Sequence, residues 1–148
     1  MPLELHQREV EGITILSLRG RLVAGSSAEV SERFDALLAE GVRNLIGDLA
    51  DVSHIDSTGL GLLVRGHSIM KAAGGAFKLL NLSQRSAQLL VLTKLSTVFE
   101  IFDDEQAAIN SFFPERDVKR FDILEFVKSQ ENQNQQSSDS GADKNEPL

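Results

Sequence analysis

Between Ile13 and Phe113 the chain repeatedly exchanges a short apolar run, often β-branched, for a longer stretch whose apolar residues fall three and four apart. This alternation constrains the fold more than any other feature, because strands joined by helices of that length need crossover connections and lie parallel in one sheet. At the start, Leu3 and Leu5 alternate with polar neighbours, Glu11-Gly12 can turn, and Ile13 to Leu18 reads as a strand, so an antiparallel hairpin opens the domain. Ser26-Ser27-Ala28-Glu29 has the form of a capping box before Val30, Phe34, Leu37 and Leu38, and Gly41 can end that helix. Asn44 to Leu49 predicts a buried strand. Leu60, Leu63, Val64, His67 and Met70 mark one face of a second helix closed by Gly74-Gly75. Phe77 to Leu82 predicts a fourth strand, Ser83 can cap a helix carrying Ala87, Leu90 and Val91, Val98 to Phe102 predicts a fifth strand, and Asp103 to Phe113 a last helix before Pro114. The expectation is an α/β domain with a mixed sheet of about five strands and about four helices, strands three to five parallel and the hairpin extending the sheet.

With 148 residues, 41% of them hydrophobic, one core and one domain are expected, over residues 1–113. Residues 114–128 carry Val118, Phe121, Leu124, Phe126 and Val127, a pattern that fits a short helix or a strand; it is either an extension packed on the domain or a segment that docks a partner. Residues 129–148 are dominated by Gln, Asn, Ser, Asp and Glu and predict a disordered tail. No repeat of fixed period is present. A net charge of -7 opposes direct attraction to nucleic acid or to anionic membranes. The absence of cysteine removes disulfides and thiolate metal sites, and no run approaches the roughly 18 apolar residues of a membrane span. The first ten residues lack the apolar stretch of a signal peptide, so a cytoplasmic protein without membrane insertion is expected.

The chemistry concentrates in Asp51 to Gly61, expected to link the third strand to the second helix, on the rim where open α/β sheets meet their ligands. At a helix start, unpaired N–H groups and the macrodipole favour an anion, so a phosphate on Ser57 or Thr58 is tolerable there. Asp56 opposes it, because a phosphate brings about -1.5 to -2 charges beside a carboxylate. The dipole contributes only about 0.3 to 1 kcal/mol, so modification would alter the rim's charge far more than stability, which is the profile of a binding switch. Gly59 and Gly61 are expected to leave the backbone uncovered there. The plainer reading is that Ser57 or Thr58 caps the helix. His54, Asp56 and Ser57 are the residue types of a hydrolytic triad but stand too close in sequence to align, so no catalytic residue is assigned. His6, His54 and His67 lack zinc-ligand spacing, His67 falling on an apolar helix face, and neither metal nor cofactor is expected. Gly59-x-Gly61 would need a third glycine at position 64, which is Val64, to form a dinucleotide fingerprint.

Asp56-Ser57-Thr58-Gly59-Leu60-Gly61, together with Gly20-Arg21-Leu22, Lys78-Leu79-Leu80-Asn81-Leu82 and Leu95 through Phe102, resembles the signature of STAS domains, found in anti-sigma factor antagonists and sulphate transporters. The resemblance covers about residues 3–113. In the antagonist branch it implies that Ser57 is phosphorylated by a serine/threonine kinase that is itself the anti-sigma factor. Unphosphorylated protein would bind the kinase, and a metal-dependent serine phosphatase would reset the cycle. Arg21, Ser26 and Ser27 would share the partner-binding surface with Asp56, Ser57, Thr58, Gly59, Leu60 and Gly61. Family members often carry an acidic residue where this chain has Val23, which leaves room for a different kinase contact. The same resemblance also allows a non-switching scaffold subunit of a lipid-transport ATPase or of a stress-signalling complex.

Overall fold

A computed structural model describes residues 3–129. Its elements run β1 (Glu4–Val10), β2 (Ile13–Leu22), α1 (Ser27–Ala39), β3 (Asn44–Ile55), α2 (Ser57–Ala72), β4 (Ala76–Leu80), α3 (Gln84–Leu92), β5 (Ile101–Phe102) and α4 (Glu105–Asn110). A further helix, α5, covers residues 123–129, and single 3-10 turns occupy Ala24–Ser26 and Leu95–Thr97. The five strands form one sheet in the order β1-β2-β3-β4-β5. β1 and β2 are antiparallel, from Glu4↔Arg19 to Val10↔Ile13, and the other pairs are parallel, as the alternation predicts. Glu11 and Gly12 both hold positive φ (54° and 82°), the two-residue hairpin geometry whose twist matches the strands.

Each strand advances the sheet in one direction, and right-handed crossovers then place successive helices on one face. Leu16, Leu18, Leu45, Leu49 and Leu79 meet Val30, Phe34 and Leu37 of α1, Leu62, Leu63 and Met70 of α2, and Ala87 and Leu90 of α3 in the larger core. The intervening residues Ile13, Ile15, Ile46, Leu80 and Phe102 point the other way and are covered by Ala107, Ala108 and Ile109 of α4. Arg8 pairs with Glu105, tying β1 to α4. Lys78, 6% exposed on this second face, donates to Ser111 Oγ (2.9 Å), lies 3.3 Å from Glu100 and sits 4.3 Å from the Phe112 ring centroid. A buried cation is thereby fully partnered.

Four expectations require correction. β3 continues to Ile55, so most of the supposed loop from Asp51 is strand, paired only with β2 through Arg19↔Asp51, Gly20↔Val52, Arg21↔His54 and Leu22↔Ile55. Only Val52 of its last five residues is fully inward, which hides the strand from a reading of apolar pattern. β5 shrinks to two residues because the turn over Leu95–Thr97 carries on through Val98, whose N–H donates to Leu95 O (2.9 Å), and pairing with β4 begins only at Ile101. α4 shrinks to six, capped by Asp104 Oδ2 accepting from Ala107 N–H (2.9 Å). The proposed capping box is absent: Ser26 Oγ bonds back into its own loop and makes no cap bond to α1.

After Pro114 the apolar pattern resolves as helix. Asp122 Oδ1 accepts from Glu125 N–H (3.1 Å) at its start, and Phe121, Ile123, Phe126 and Val127 pack onto the larger core while Leu124 faces out. Residues 130–148, and so all but the first residue of the expected tail, lie outside the described residues.

Candidate functional site

The rim is assembled where β2 and β3 end side by side. Asp56 has extended backbone angles and is the N-cap of α2: its Oδ1 accepts from Gly59 N–H at 2.8 Å, and its Oδ2 accepts from Ala24 N–H at 3.1 Å. One carboxylate therefore caps α2 and holds the β2–α1 turn against it. The Gly59 N–H bond, reinforced by that from Ala24, holds the Asp56 carboxyl below its ordinary range, although partial burial pulls the other way. Asp56 N–H donates to Leu22 O (3.3 Å), adding a backbone stitch between the same two segments.

Because Asp56 performs the capping, Ser57 does not, which decides against the plainer reading of its hydroxyl. Ser57 is the first helical residue, is exposed, and its hydroxyl takes no hydrogen-bond partner among the described residues; Thr58 is exposed beside it. Leu60 is half-buried and packs on the larger core, and Gly61 faces open space. Gly59 is buried: a Cβ there would stand 2.1 Å from Leu22 O, so its backbone is covered by β2 and is not open to a partner as expected. This glycine is required by close approach of two backbones.

Across the rim, Arg21 is exposed near the end of β2 and Ser27 is half-buried, with Oγ donating to Ala24 O (3.0 Å). Ser26 does not belong to the surface. At 6% exposure its hydroxyl lies 2.7 Å from Arg21 O and accepts from Val23 N–H (3.2 Å), so it shapes the turn from inside. Val23 is half-buried in that turn. The accessible set is Arg21, Ser27, Ser57, Thr58 and Gly61, with Asp56 and Leu60 supporting it.

The triad residue types do not assemble. His54 Nδ1 is 3.1 Å from Ser53 Oγ, both Asp56 oxygens are engaged by backbone N–H groups, and no hydrogen bond joins either side chain to Ser57. His67 stands edge-on to Phe99, centroids 5.5 Å apart, as a boundary residue of the core. Among the described residues no group of three or more His, Cys, Asp or Glu side chains converges on a metal site, and no helix is long and apolar enough to cross a membrane. Of the glycines suggestive of a nucleotide loop, Gly59 is required by packing while Gly61 faces open space, and Gly66 further along α2 makes room for Phe34, which a Cβ there would meet at 2.9 Å.

An open sheet in sequential strand order, with α1, α2 and α3 on one face and a serine exposed at the rim, defines an α/β domain of the kind in which ligands generally meet the carboxyl ends of the strands. The chain belongs to the STAS domain family, matched over residues 5–108. It is 32% identical over 101 residues to the anti-sigma-B factor antagonist of Bacillus subtilis, covering 68% of this chain and 92% of that one. Over 100 residues it is 32% identical to the anti-sigma-B factor antagonist of Listeria monocytogenes, covering 67% of this chain and 86% of its relative. Among solved structures, the Thermotoga maritima protein TM1081 superposes with a TM-score of 0.66 at 25% identity, covering 74% of this chain and 88% of that one.

Asp56→Ala should lower the melting temperature by several degrees and accelerate amide exchange at both Gly59 and Ala24, since one carboxylate serves both donors. The sign of the pH dependence follows. A carboxyl held below its ordinary range contributes stability that is complete above its unfolded value and is lost as pH falls through the folded one. The wild type should therefore lose stability on acidification below the usual carboxylate range more steeply than Asp56→Ala, as measured by denaturation midpoints across that interval.

Proposed function

We propose that this protein is an anti-sigma factor antagonist that binds an anti-sigma factor serine/threonine kinase and is switched by reversible phosphorylation of Ser57. The observation that carries the reading is the division of labour at the start of α2: Asp56 takes the cap, leaving the Ser57 hydroxyl exposed and unpartnered for a kinase. Relatives at 32% identity bear the antagonist name over most of their length, which supports the general function. Phosphate on Ser57 would place charge on the contact surface without disturbing the cap that holds the fold. A metal-dependent serine phosphatase would return it to the binding form. No catalytic role is assigned to the chain, and its work is done by the surface formed from Arg21, Ser27, Ser57, Thr58 and Gly61.

The test is binding to the cognate kinase by calorimetry, with phosphopeptide mapping of protein isolated from its own host. Ser57→Ala should retain affinity and accept no phosphate, while Ser57→Asp should lose about two orders of magnitude, because an uncompensated charge at an interface costs several kcal/mol. Equal binding by wild type and both variants would remove the switch. Recovery of a membrane ATPase with no Ser57 phosphopeptide would favour the scaffold role.

A further inference from the structure

The chain continues beyond residue 108, where the family match ends, and how that continuation is attached differs from the rest of the molecule. Arg116 is the last residue anchored by polar contacts: it reaches Glu11 (2.8 Å) and Asn110 (3.0 Å) and stacks 4.0 Å over Phe113. From residue 117 to residue 129, no hydrogen bond or ion pair joins the segment to the domain among the described residues; the bonds it makes, such as Phe126 N–H to Asp122 O, are internal. Attachment rests on apolar contacts alone, Phe121, Ile123, Phe126 and Val127 against the larger core and Val118 against the smaller one. A helix of seven residues is too short to persist alone, so α5 is helical because it is docked.

Its seat crosses the carboxyl ends of the parallel strands. Phe121 and Phe126, centroids 5.5 Å apart, line a 300 Å³ cavity with Ala50, Leu82 and Asp103, from β3 and from the ends of β4 and β5. On the other side Phe121 and Ile123 line a 450 Å³ cavity with Phe99 and Phe102. Space on both flanks means that the segment forgoes dispersion contacts that the interior core makes.

We propose that residues 117–129 are a detachable strap, and that the groove beneath them is a second docking surface for a short helix with paired aromatic anchors, held closed in cis by the strap. The resident segment itself defines the chemistry of the occupant, the helix-in-groove mode of recognition. A tethered segment acts at an effective concentration on the order of millimolar, so a competing helix enters only when it binds tightly or when the strap is released. Five strand residues separate Ala50 from α2, so the groove is distinct from the Ser57 rim.

Hydrogen exchange on the unmodified chain should show amides of residues 123–129 opening at least about a hundredfold more readily than those of β2 and β3, through a local event. Exchange at the same rate as the core strands would overturn the proposal. In Phe121→Ser/Phe126→Ser, a labelled synthetic peptide of residues 117–129 should bind at least about tenfold more tightly than to wild type, because the tethered competitor is disabled. Equal binding to both, no binding to either, or loss of the cooperative unfolding transition in the variant would each show that the segment is an integral part of the core and that no gated groove exists.

Discussion

Gly59→Ala should destabilise the protein by about 3 kcal/mol and lower the melting temperature by roughly 10 °C, an effect far larger than a glycine-to-alanine change inside a helix normally produces. Helix propensity alone favours alanine by about 1 kcal/mol. What defeats it is the neighbour: the new Cβ would stand 2.1 Å from Leu22 O and 3.0 Å from Ile55 Cγ2. The first of these is backbone of a paired strand, so it cannot rotate aside as a side chain would. α2 would have to slide away from β2, taking with it the Asp56 bonds to Gly59 and Ala24. Binding through Ser57 should therefore fall as well, although Ser57 is untouched. Gly61, two residues on, has nothing within 4 Å of its Cβ position, so Gly61→Ala should leave the fold intact and raise stability by a few tenths to about 1 kcal/mol. Denaturant midpoints of the two variants measure both effects, and a Gly59→Ala protein as stable as wild type would mean that the close seat of α2 is wrong.

The sequence alone reveals the alternation of elements because it is written in apolar spacing: Leu16 and Leu18 against Ile13 and Ile15 define two faces, and Val30, Phe34 and Leu37 define a helix. It hides β3 beyond Leu49, where Asp51, Ser53 and His54 face out and strand geometry comes from pairing with β2. The exposed serine is likewise legible, since Asp56-Ser57-Thr58 precedes an apolar helix. Which of the three caps is not, because all are good capping types and the outcome turns on Ala24, a residue 32 positions away that gives the Asp56 carboxylate a second donor. Ser26 misleads for the same reason: it has the right type and spacing for a cap, yet the turn at Val23 captures its hydroxyl. Lys78 is the reverse case, a charge within an apolar strand whose partners Ser111 and Phe112 come from after α4. In each instance the missing information is tertiary and non-local.

Phe77→Ala should be the most damaging core substitution, at about 3 to 5 kcal/mol. The ring, 2% exposed, stands edge-on to Phe34 (5.6 Å between centroids) and to Phe99 (6.3 Å), and two glycines make room for it. A Cβ on Gly47 of β3 would meet it at 2.9 Å, and one on Gly66 of α2 at 3.1 Å. The ring is thus the wedge that sets the distance between α2 and the sheet, and through α2 the position of Ser57. Its obstruction is a ring held on three sides, so Gly47→Ala should itself cost about 1 to 3 kcal/mol by overpacking. The two changes share one volume and cannot be additive. Phe77→Leu removes ring atoms from the place where the new methyl would sit, so Gly47→Ala should cost at least about 1 kcal/mol less in the Phe77→Leu background than in wild type. A double-mutant cycle in urea reads this coupling directly, and a value near zero would show that the ring and Gly47 do not compete for space. Exchange at the first turn of α2 in Phe77→Ala should rise along with it, because the helix loses the contact that fixes its height above the sheet while its cap remains in place.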